Sequence, residues 1–180
     1  MDCRKEKNNT ENGARKKAPR FLTALILMAA IVAADQLVKY AVRQNLRVGD
    51  SISVAGSFFR ITHVFNTGAA FGILAGKTPV LMLFPVIVIA GLLIFVLRQD
   101  SLQASCWLGV TMAAAGGIGN LIDRTMSGGV TDMLDFSIFP PVFNVADIAV
   151  TVGCGLLVLY GLGELRKEET EKKTEDGPDQ

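Results

Sequence analysis

The sequence is poor in the residues that most metal centres and hydrolytic sites use. It has a single histidine, His63, and three cysteines, Cys3, Cys106 and Cys154, which lie far apart and form no CxxC pair. Zinc sites need clustered histidine and cysteine, and disulfide frameworks need paired cysteines. A serine or cysteine nucleophile would have His63 alone as a base, and no GxSxG motif occurs. We therefore expect no metal, no cofactor and no disulfide scaffold.

The chain also has little net charge. The 180 residues sum to +1, which gives no support to a nucleic-acid partner. Half of the residues are hydrophobic and the mean hydropathy is +0.38, which is too apolar for a soluble domain of this length. The charges crowd into residues 1–20 and 164–180 and leave a long apolar middle. This pattern indicates a membrane protein.

Four apolar runs approach the length of about 20 residues that a bilayer crossing requires. They predict an all-α integral membrane protein with four transmembrane helices, at Phe21–Tyr40, Thr78–Leu97, Ser101–Ile122 and Phe143–Leu162. The first run also has the features of a cleaved signal peptide, because small residues at 33 and 34 follow a basic and then an apolar stretch. Because three further spans follow, we favour a retained first helix.

Basic residues predict the orientation of these spans. They are concentrated before Phe21, at Arg98 between spans two and three, and after residue 164. If these segments are cytoplasmic, the positive-inside rule holds and both termini lie inside. Residues 1–20 then form a basic cytoplasmic tail, 21–163 a membrane domain, and 164–180 a disordered cytoplasmic tail, since the last segment has no apolar periodicity. Segments 41–77 and 123–142 lie outside.

The first outer segment has the composition of short strands. SISV at 51–54 and FFRITHVF at 58–65 are rich in β-branched and aromatic residues. We expect a small extracytoplasmic β element lying on the membrane.

Four aspartates lie against the apolar runs and fall on the outer side of the predicted membrane: Asp35, Asp123, Asp132 and Asp147. A carboxylate beside hydrocarbon is costly, and it usually marks a functional site. Two aspartates held close together cannot both ionise readily, so one retains a proton and the pair titrates as a unit. We therefore expect a site at this face in which two of the acids act as an acid/base pair.

Other polar residues share helical faces with these acids. Asp35 and Lys39 are four apart, and the simpler interpretation is a charge pair at a helix end. Asn120, Asp123 and Arg124 also share a face, where a local Asp–Arg pair is the simpler alternative.

Helix packing and capping explain part of the remaining pattern. Gly117 and Gly119 belong to a run of small residues that predicts close helix contacts, while Gly116, one turn before Asn120, could instead leave room for a ligand. Asn144 is a suitable N-cap for the fourth helix. Asp147 lies too far into the apolar run for capping, which favours a functional role.

Five short motifs, taken in order, resemble the lipoprotein signal peptidase family, also called signal peptidase II. The resemblance extends from the first span to the fourth, and only the tails lie outside it. Each motif alone is weak, but the combination is specific. The motifs are DQLVK (35–39), NTGAAFG (66–72), GNLIDR (119–124), GGVTDMLDF (128–136) and FNVAD (143–147).

The resemblance implies an aspartic endopeptidase of the bacterial inner membrane with four spans. Such enzymes remove the signal peptide from prolipoproteins, cutting before the cysteine that carries diacylglycerol. By motif the catalytic pair is Asp132 and Asp147. The spacing from Gly128 and Val130 selects Asp132 over Asp135, and Asp123 is the rival of Asp132 for this place in the pair.

The resemblance also implies roles for other residues and partners. Four positions match residues that hold substrate or inhibitor: Asn66, Asn120, Arg124 and Asn144. Three match residues that support the site: Asp35, Lys39 and Asp123. The expected partners are lipid-modified prolipoproteins, membrane lipids and globomycin-like peptide inhibitors, and we expect a monomer.

Two other functions fit a small apolar protein with membrane acids. A proton-coupled transporter would place its acids near the midplane, often with an internal repeat, and neither feature is visible. A non-catalytic assembly factor would tolerate Asp147→Asn with little loss of function. Neither alternative explains five motifs in this order.

Overall fold

Four helices follow the four apolar runs of the sequence. The computed structural model describes residues 3–68, 78–98 and 103–175. Numbered in chain order, the helices are α1 Cys3–Asn45, α2 Thr78–Arg98, α3 Ala104–Ser127 and α4 Val145–Glu175. Three of them contain stretches long and apolar enough to cross a membrane: Phe21–Asn45, Ala104–Ser127 and Val145–Lys172. α2 covers the second predicted span with a shorter apolar stretch, Pro79–Leu92, so a fourth crossing stays a prediction.

The charged ends of the chain are more regular than the sequence predicted. α1 already begins at Cys3, and α4 continues to Glu175. The prediction of a disordered tail from residue 164 is therefore wrong for residues 164–175, and the last five residues lie outside the described part of the chain. Glu, Lys and Arg are good helix formers, and the Nζ of Lys167 lies 2.8 Å from Glu164 Oε1, one turn earlier. An apolar core is not needed to extend an existing helix.

A four-stranded antiparallel sheet accompanies the helices. Its order is β1-β2-β3-β4, with the strands at Ser51–Ala55, Phe59–Asn66, Val130–Phe136 and Phe139–Phe143. The first two strands confirm the predicted β element. The second hairpin was not predicted from the sequence. The sheet thus joins both predicted outer segments, and β2 pairs with β3 along most of its length.

A glycine produces the sharp change from α3 to β3. Gly128 follows the last residue of α3 and has a φ of 75°, a left-handed conformation that residues with a side chain rarely adopt. Its N–H donates to the carbonyl oxygen of Arg124 at 3.0 Å and closes the helix. β3 therefore starts directly beside the end of α3.

α3 is the central helix of the described bundle. Its buried face is made of small residues from Ala113 to Gly116, and it contacts all three other helices. A Cβ on Gly116 would overlap the carbonyl oxygen of Ala146 and lie 2.8 Å from Val150 Cγ2. The backbones of α3 and α4 therefore touch where α4 begins. The ends of α1 and α3, the start of α4 and β3 consequently meet at one end of the bundle.

Candidate active site

A cavity of about 470 Å³ opens at the end of the bundle where the sheet joins the helices. Its polar side chains come from β2, α3, β3 and α4, and they are Asn66, Asn120, Arg124, Asp132, Asp147 and Thr151. The rest of the wall is almost entirely apolar and comes from β4 and the first turns of α4. It includes Phe139, Phe143, Ile148 and Val152. Two carboxyl groups thus face one cavity with a hydrophobic wall.

Asp132 is held on β3 by two amide groups. Its side chain is almost fully buried, with 2% of the residue exposed. Asn66 Nδ2 donates to Oδ2 at 3.0 Å, and Asn144 Nδ2 donates to Oδ1 at 2.6 Å. Burial raises the pKa of Asp132 to about 6, although both amide hydrogen bonds act in the opposite direction. Asp132 can therefore gain or lose a proton near neutral pH.

Asp147 lies in the first turn of α4. Its Oδ1 accepts a hydrogen bond from Asn120 Nδ2 at 2.7 Å. Its Oδ2 accepts the backbone N–H of Asn144 at 3.2 Å, while Asn144 Oδ1 accepts the backbone N–H of Asp147 at 3.0 Å. This reciprocal pattern is a capping box. Asn144 is thus the predicted cap, but the prediction that Asp147 lies too far in for capping is wrong, because position N3 is the second member of such a box.

Asn144 connects the two cavity acids. Its side-chain amide donates to Asp132 and its backbone N–H donates to Asp147, and the residue is fully buried. The second proton of the same amide goes to Asn120 Oδ1 at 3.1 Å. One rigid residue at a helix start therefore sets the positions of both carboxyl groups.

A second pair of acids lies behind the cavity in an ion-pair cluster made of Asp35, Lys39, Arg43 and Asp123. The Nζ of Lys39 lies 2.8 Å from Asp35 Oδ2 and 3.2 Å from Asp123 Oδ2. Arg43 NH1 lies 3.6 Å from Asp123 Oδ1. Asp35 and Lys39 are fully buried, so the predicted charge pair exists but is not a pair at an exposed helix end.

The ion-pair cluster is also bonded to the elements that carry the cavity acids. Asp35 Oδ1 accepts the backbone N–H of Ala146 at 2.9 Å, next to Asp147. Asp123 Oδ2 accepts the backbone N–H of Thr131 at 3.1 Å, next to Asp132. The two acids of the cluster therefore hold the main chain beside each cavity acid.

Gln36 was missed in the sequence analysis. Its Nε2 lies 3.1 Å from Asp35 Oδ2, from Asp123 Oδ1 and from the carbonyl oxygen of Gly119. It therefore ties α1 to α3 within the ion-pair cluster. Its position inside the DQLVK motif, directly after a buried acid, was the available signal.

Arg124 and Asn66 hold the turn after β2. Asn66 Oδ1 accepts the backbone N–H of Gly68 at 2.9 Å, a local hydrogen bond typical of asparagine in turns. Arg124 NH2 donates to the carbonyl oxygen of Gly68 at 3.1 Å. Arg124 therefore lines the cavity and does not form the predicted local pair with Asp123. The rest of the NTGAAFG motif, residues 69–72, lies outside the described part of the chain.

Two candidates lie away from the cavity. Asp135 accepts hydrogen bonds from Arg60 Nε at 3.0 Å and Thr62 Oγ1 at 2.7 Å on the sheet, and it is not among the residues that line the cavity. Gly116 does not line the cavity, and its contact with Ala146 leaves no space for a ligand. The suggestion of a ligand space at Gly116 is therefore corrected to helix packing.

The donor set of the described residues does not resemble a metal centre. Within 3–68, 78–98 and 103–175, no group of three or more His, Cys, Asp or Glu side chains could hold a metal ion. The cavity offers two carboxyl groups with amide donors and one guanidinium. This combination suits acid/base chemistry.

Comparison with known proteins decides the family. A family model described as signal peptidase (SPase) II matches residues 27–162, which include every residue of the cavity and of the ion-pair cluster. The chain belongs to the signal peptidase II family. Membership in this family makes it a peptidase and sets aside the transporter and assembly-factor alternatives.

Relatives within the signal peptidase II family are similar over most of their length. A lipoprotein signal peptidase of Desulfitobacterium hafniense is 42% identical over 153 residues, which cover 83% of this chain and 97% of that protein. The lipoprotein signal peptidase of Brevibacillus brevis is 38% identical over 135 residues, covering 74% and 91%. A bacterial membrane enzyme solved by the in meso method at 2.3 Å resolution has a TM-score of 0.75 and 32% identity, over 84% of this chain and 92% of that one.

Proposed function

We propose that this signal peptidase II is an aspartic endopeptidase that removes the signal peptide from diacylglyceryl-modified prolipoproteins, cutting before the lipidated cysteine. The observation that carries the proposal is Asn144, which donates to Asp132 at 2.6 Å and to Asp147 at 3.2 Å. Both carboxyl groups are thereby held at one cavity. The relatives from Desulfitobacterium and Brevibacillus are named as lipoprotein signal peptidases, which supports the same substrate class.

The chemistry requires one proton shared between the two acids. The ionised carboxylate takes a proton from water while the water oxygen bonds to the scissile carbonyl carbon. The protonated acid gives its proton to the carbonyl oxygen, which yields a tetrahedral diol. The proton just gained from water then passes to the amide nitrogen as the C–N bond breaks. A hydroxyl proton of the diol returns to the other acid, which restores the starting state.

Asp132 and Asp147 fit these roles better than the other acids do. Asp35 and Asp123 each form an ion pair with the ammonium of Lys39, and neither is among the residues that line the cavity. Asp132 and Asp147 instead receive amide hydrogen bonds and line the cavity. This difference also disfavours Asp123 as a member of the pair.

The surrounding residues suit a lipidated peptide. Asn66, Asn120 and Arg124 offer hydrogen-bonding groups beside the acids, as needed for the backbone of an extended peptide. The apolar wall from β4 and α4, with Phe139, Phe143 and Val152, suits hydrocarbon chains. Globomycin-like peptides are expected to occupy the same cavity, and membrane lipids to contact the exposed apolar helix faces. We expect the monomer to be active, because one chain supplies every group named here.

The cavity is proposed to face the outer side of the bacterial inner membrane. Four crossings, with α2 as the second, would put the basic segment 1–20 and the segment 164–180 in the cytoplasm. Residues 21–163 then form the peptidase domain. The sheet and the cavity lie at the end where α1 and α3 stop and α4 begins, which is the outer end in this arrangement. A substrate anchored in the bilayer could reach the cavity laterally.

The experiment is cleavage of a purified diacylated prolipoprotein by the purified protein in detergent or liposomes. We expect cleavage before the lipidated cysteine and inhibition by a globomycin-like peptide. A precursor with serine at that position, which cannot be lipidated, should remain intact. Asp147→Asn should abolish cleavage, whereas Asp135→Asn, on the sheet and outside the cavity, should cleave normally. Cleavage of both precursors alike would contradict the lipid requirement, and full activity of Asp147→Asn would contradict the acid pair.

A further inference from the structure

Lys39 neutralises the acids of the ion-pair cluster, but it also makes one contact with a neutral residue outside that cluster. Its fully buried Nζ touches Asp35 and Asp123, and it also donates to Asn120 Oδ1 at 3.0 Å. Asn120 is neutral and belongs to the cavity wall. The ammonium group therefore reaches from the ion-pair cluster to a side chain that contacts a cavity acid.

The amide of Asn120 has only one orientation that satisfies its neighbours. Its oxygen accepts from Lys39 Nζ and from Asn144 Nδ2, and its nitrogen donates to Asp147 Oδ1 at 2.7 Å. If the amide turned over, its N–H₂ group would face an ammonium and another N–H₂ group. Its oxygen would at the same time face a carboxylate. Lys39, as the charged donor, contributes most to excluding the turned orientation, because hydrogen bonds that involve an ionised group are the stronger ones.

We propose that Lys39 is a positioning residue for Asp147, which acts by fixing the Asn120 amide so that its N–H points at the carboxylate. The proposal rests on the proposed function, in which Asp147 is one of the two acids. The family resemblance implies only that Lys39 supports the site. The proposal adds a specific path, which runs from the Nζ of Lys39 through the Asn120 amide to one carboxylate oxygen of Asp147. Lys39 itself touches neither the cavity nor the reacting atoms.

Neutralising Asp35 and Asp123 is not a sufficient explanation for Lys39, because both acids also have other partners. Asp35 also receives the N–H of Ala146 and the amide of Gln36. Asp123 receives the N–H of Thr131 and lies near the guanidinium of Arg43. Each cluster acid therefore keeps hydrogen-bond donors without Lys39, whereas Asn120 would keep only the neutral donor Asn144.

A double-mutant cycle on the rate of cleavage tests this path. The variants are Lys39→Met, Asn120→Ala and the two combined, with kcat and KM measured on the diacylated precursor. Methionine keeps the unbranched shape of the side chain and removes the ammonium. We expect Lys39→Met to lower kcat by roughly 10- to 100-fold with KM changed less than about threefold, as for an interaction used in the chemical step. In the Asn120→Ala protein, the same change should lower kcat less than about threefold further.

A merely structural Lys39 would give a different result. It would lower kcat by the same factor whether or not Asn120 is present, and that outcome overturns the proposal. An unchanged kcat in Lys39→Met also overturns it. Asp135→Asn is the matched control for the loss of an ion pair, since its partner Arg60 lies on the sheet. It should leave kcat unchanged.

Folding and the proposed function are controlled separately. If Lys39→Met does not fold, Asp35→Asn combined with Lys39→Met removes both members of the closest pair and keeps the cluster neutral. In the cycle, this combined variant then replaces Lys39→Met, and its kcat is compared with that of Asp35→Asn alone. If the wild-type protein does not cleave the precursor, or Asp147→Asn cleaves it, the proposed function fails. If the wild type cleaves the precursor and Asp147→Asn does not, the proposed function stands. If Lys39→Met then lowers kcat equally with and without Asn120, only the path through Asn120 fails.

Discussion

The two pairs of buried acids differ in the partners that the fold gives them. Asp35 and Asp123 in the ion-pair cluster share the ammonium of Lys39. Asp132 and Asp147, the cavity acids, receive only amide and backbone N–H groups. Removing one partner of a buried ion pair is strongly destabilising, because the other charge is left uncompensated. Asp132, whose pKa burial raises to about 6, can exchange a proton near neutral pH. We propose that this difference in partners separates a pair of acids with a structural role from a pair with a chemical role.

The ion-pair cluster should give the largest effect on stability. Asp35→Ala leaves the buried ammonium of Lys39 short of one carboxylate and the N–H of Ala146 without its acceptor. Breaking a buried pair by removing one partner costs about 3–5 kcal/mol. We expect a loss of this size in the free energy of unfolding, measured by thermal or denaturant unfolding in detergent.

Asp135→Ala is the matched control on the sheet. Its partner Arg60 has a side chain that is 48% exposed, so the loss should be about 1 kcal/mol. Equal losses in the two variants would contradict a structural role specific to the ion-pair cluster.

Asp132 in the cavity should have the opposite effect: its ionisation should lower the free energy of unfolding, by an amount that depends on pH. Burial raises the pKa of Asp132 to about 6, above its value in the unfolded chain. The protonated carboxyl is thus favoured by folding, so its contribution is full below about pH 4 and is lost as the pH rises through about 6. A shift of this size corresponds to at most about 3 kcal/mol. The stability difference between wild type and Asp132→Asn, which cannot ionise, should therefore shift in favour of the variant as the pH rises from 4 to 7.

Melting temperatures of both proteins across this pH range measure the effect. Changes common to the two proteins cancel in the difference, which leaves the contribution of the one carboxyl group. If the difference in melting temperature stays constant, or if the asparagine variant becomes relatively less stable as the pH rises, the carboxylate of Asp132 does not destabilise the fold as proposed.

The contact between α3 and α4 should give a smaller effect. A Cβ on Gly116 overlaps the carbonyl oxygen of Ala146, so Gly116→Ala must push the two helices apart. Overpacking of this kind costs about 1–3 kcal/mol. The same shift would lengthen the hydrogen bond from Asn120 on α3 to Asp147 on α4 and lower the rate of cleavage. Unfolding and cleavage are measured on the same sample.

Gly155→Ala provides the comparison, because no atom lies within 4 Å of a Cβ at that position in α4. It should be neutral or slightly stabilising, since alanine favours the helix over glycine. Similar losses in both glycine variants would indicate a general effect of the substitution and not a close approach at Gly116.

The sequence predicted the elements that composition and periodicity define. The apolar runs located all four helices, and the β-branched run at 58–65 located β2. The convergence of the four acids followed from the order of the runs alone. The second hairpin was missed because two of the five residues of β4 are proline and β3 carries two acids. β3 is largely buried and pairs with β2, and β4 pairs with β3, so tertiary pairing overrides these unfavourable local preferences.

The sequence could not divide the acids into two pairs without the motif match. Asp35 and Asp147 both lie against apolar runs, and the difference between them depends on which donor reaches each oxygen. Lys39 contacts Asp123 across 84 positions of the chain, and Asn144 reaches Asp132 around a hairpin. Gln36 illustrates the same limit, because its three partners lie on two helices. Such contacts arise from tertiary packing and leave no periodic signal.

The most direct test of the division between the two pairs measures cleavage and stability together in Asp132→Asn at pH 7. We predict that the rate of prolipoprotein cleavage falls by roughly 10²–10⁴-fold, while the melting temperature stays equal to that of the wild type or rises. Retained cleavage would remove Asp132 from the acid pair. If the rate of cleavage and the melting temperature both fall, Asp132 has a structural role like that of Asp35 and Asp123. That result would contradict the proposed division of the acids into two pairs.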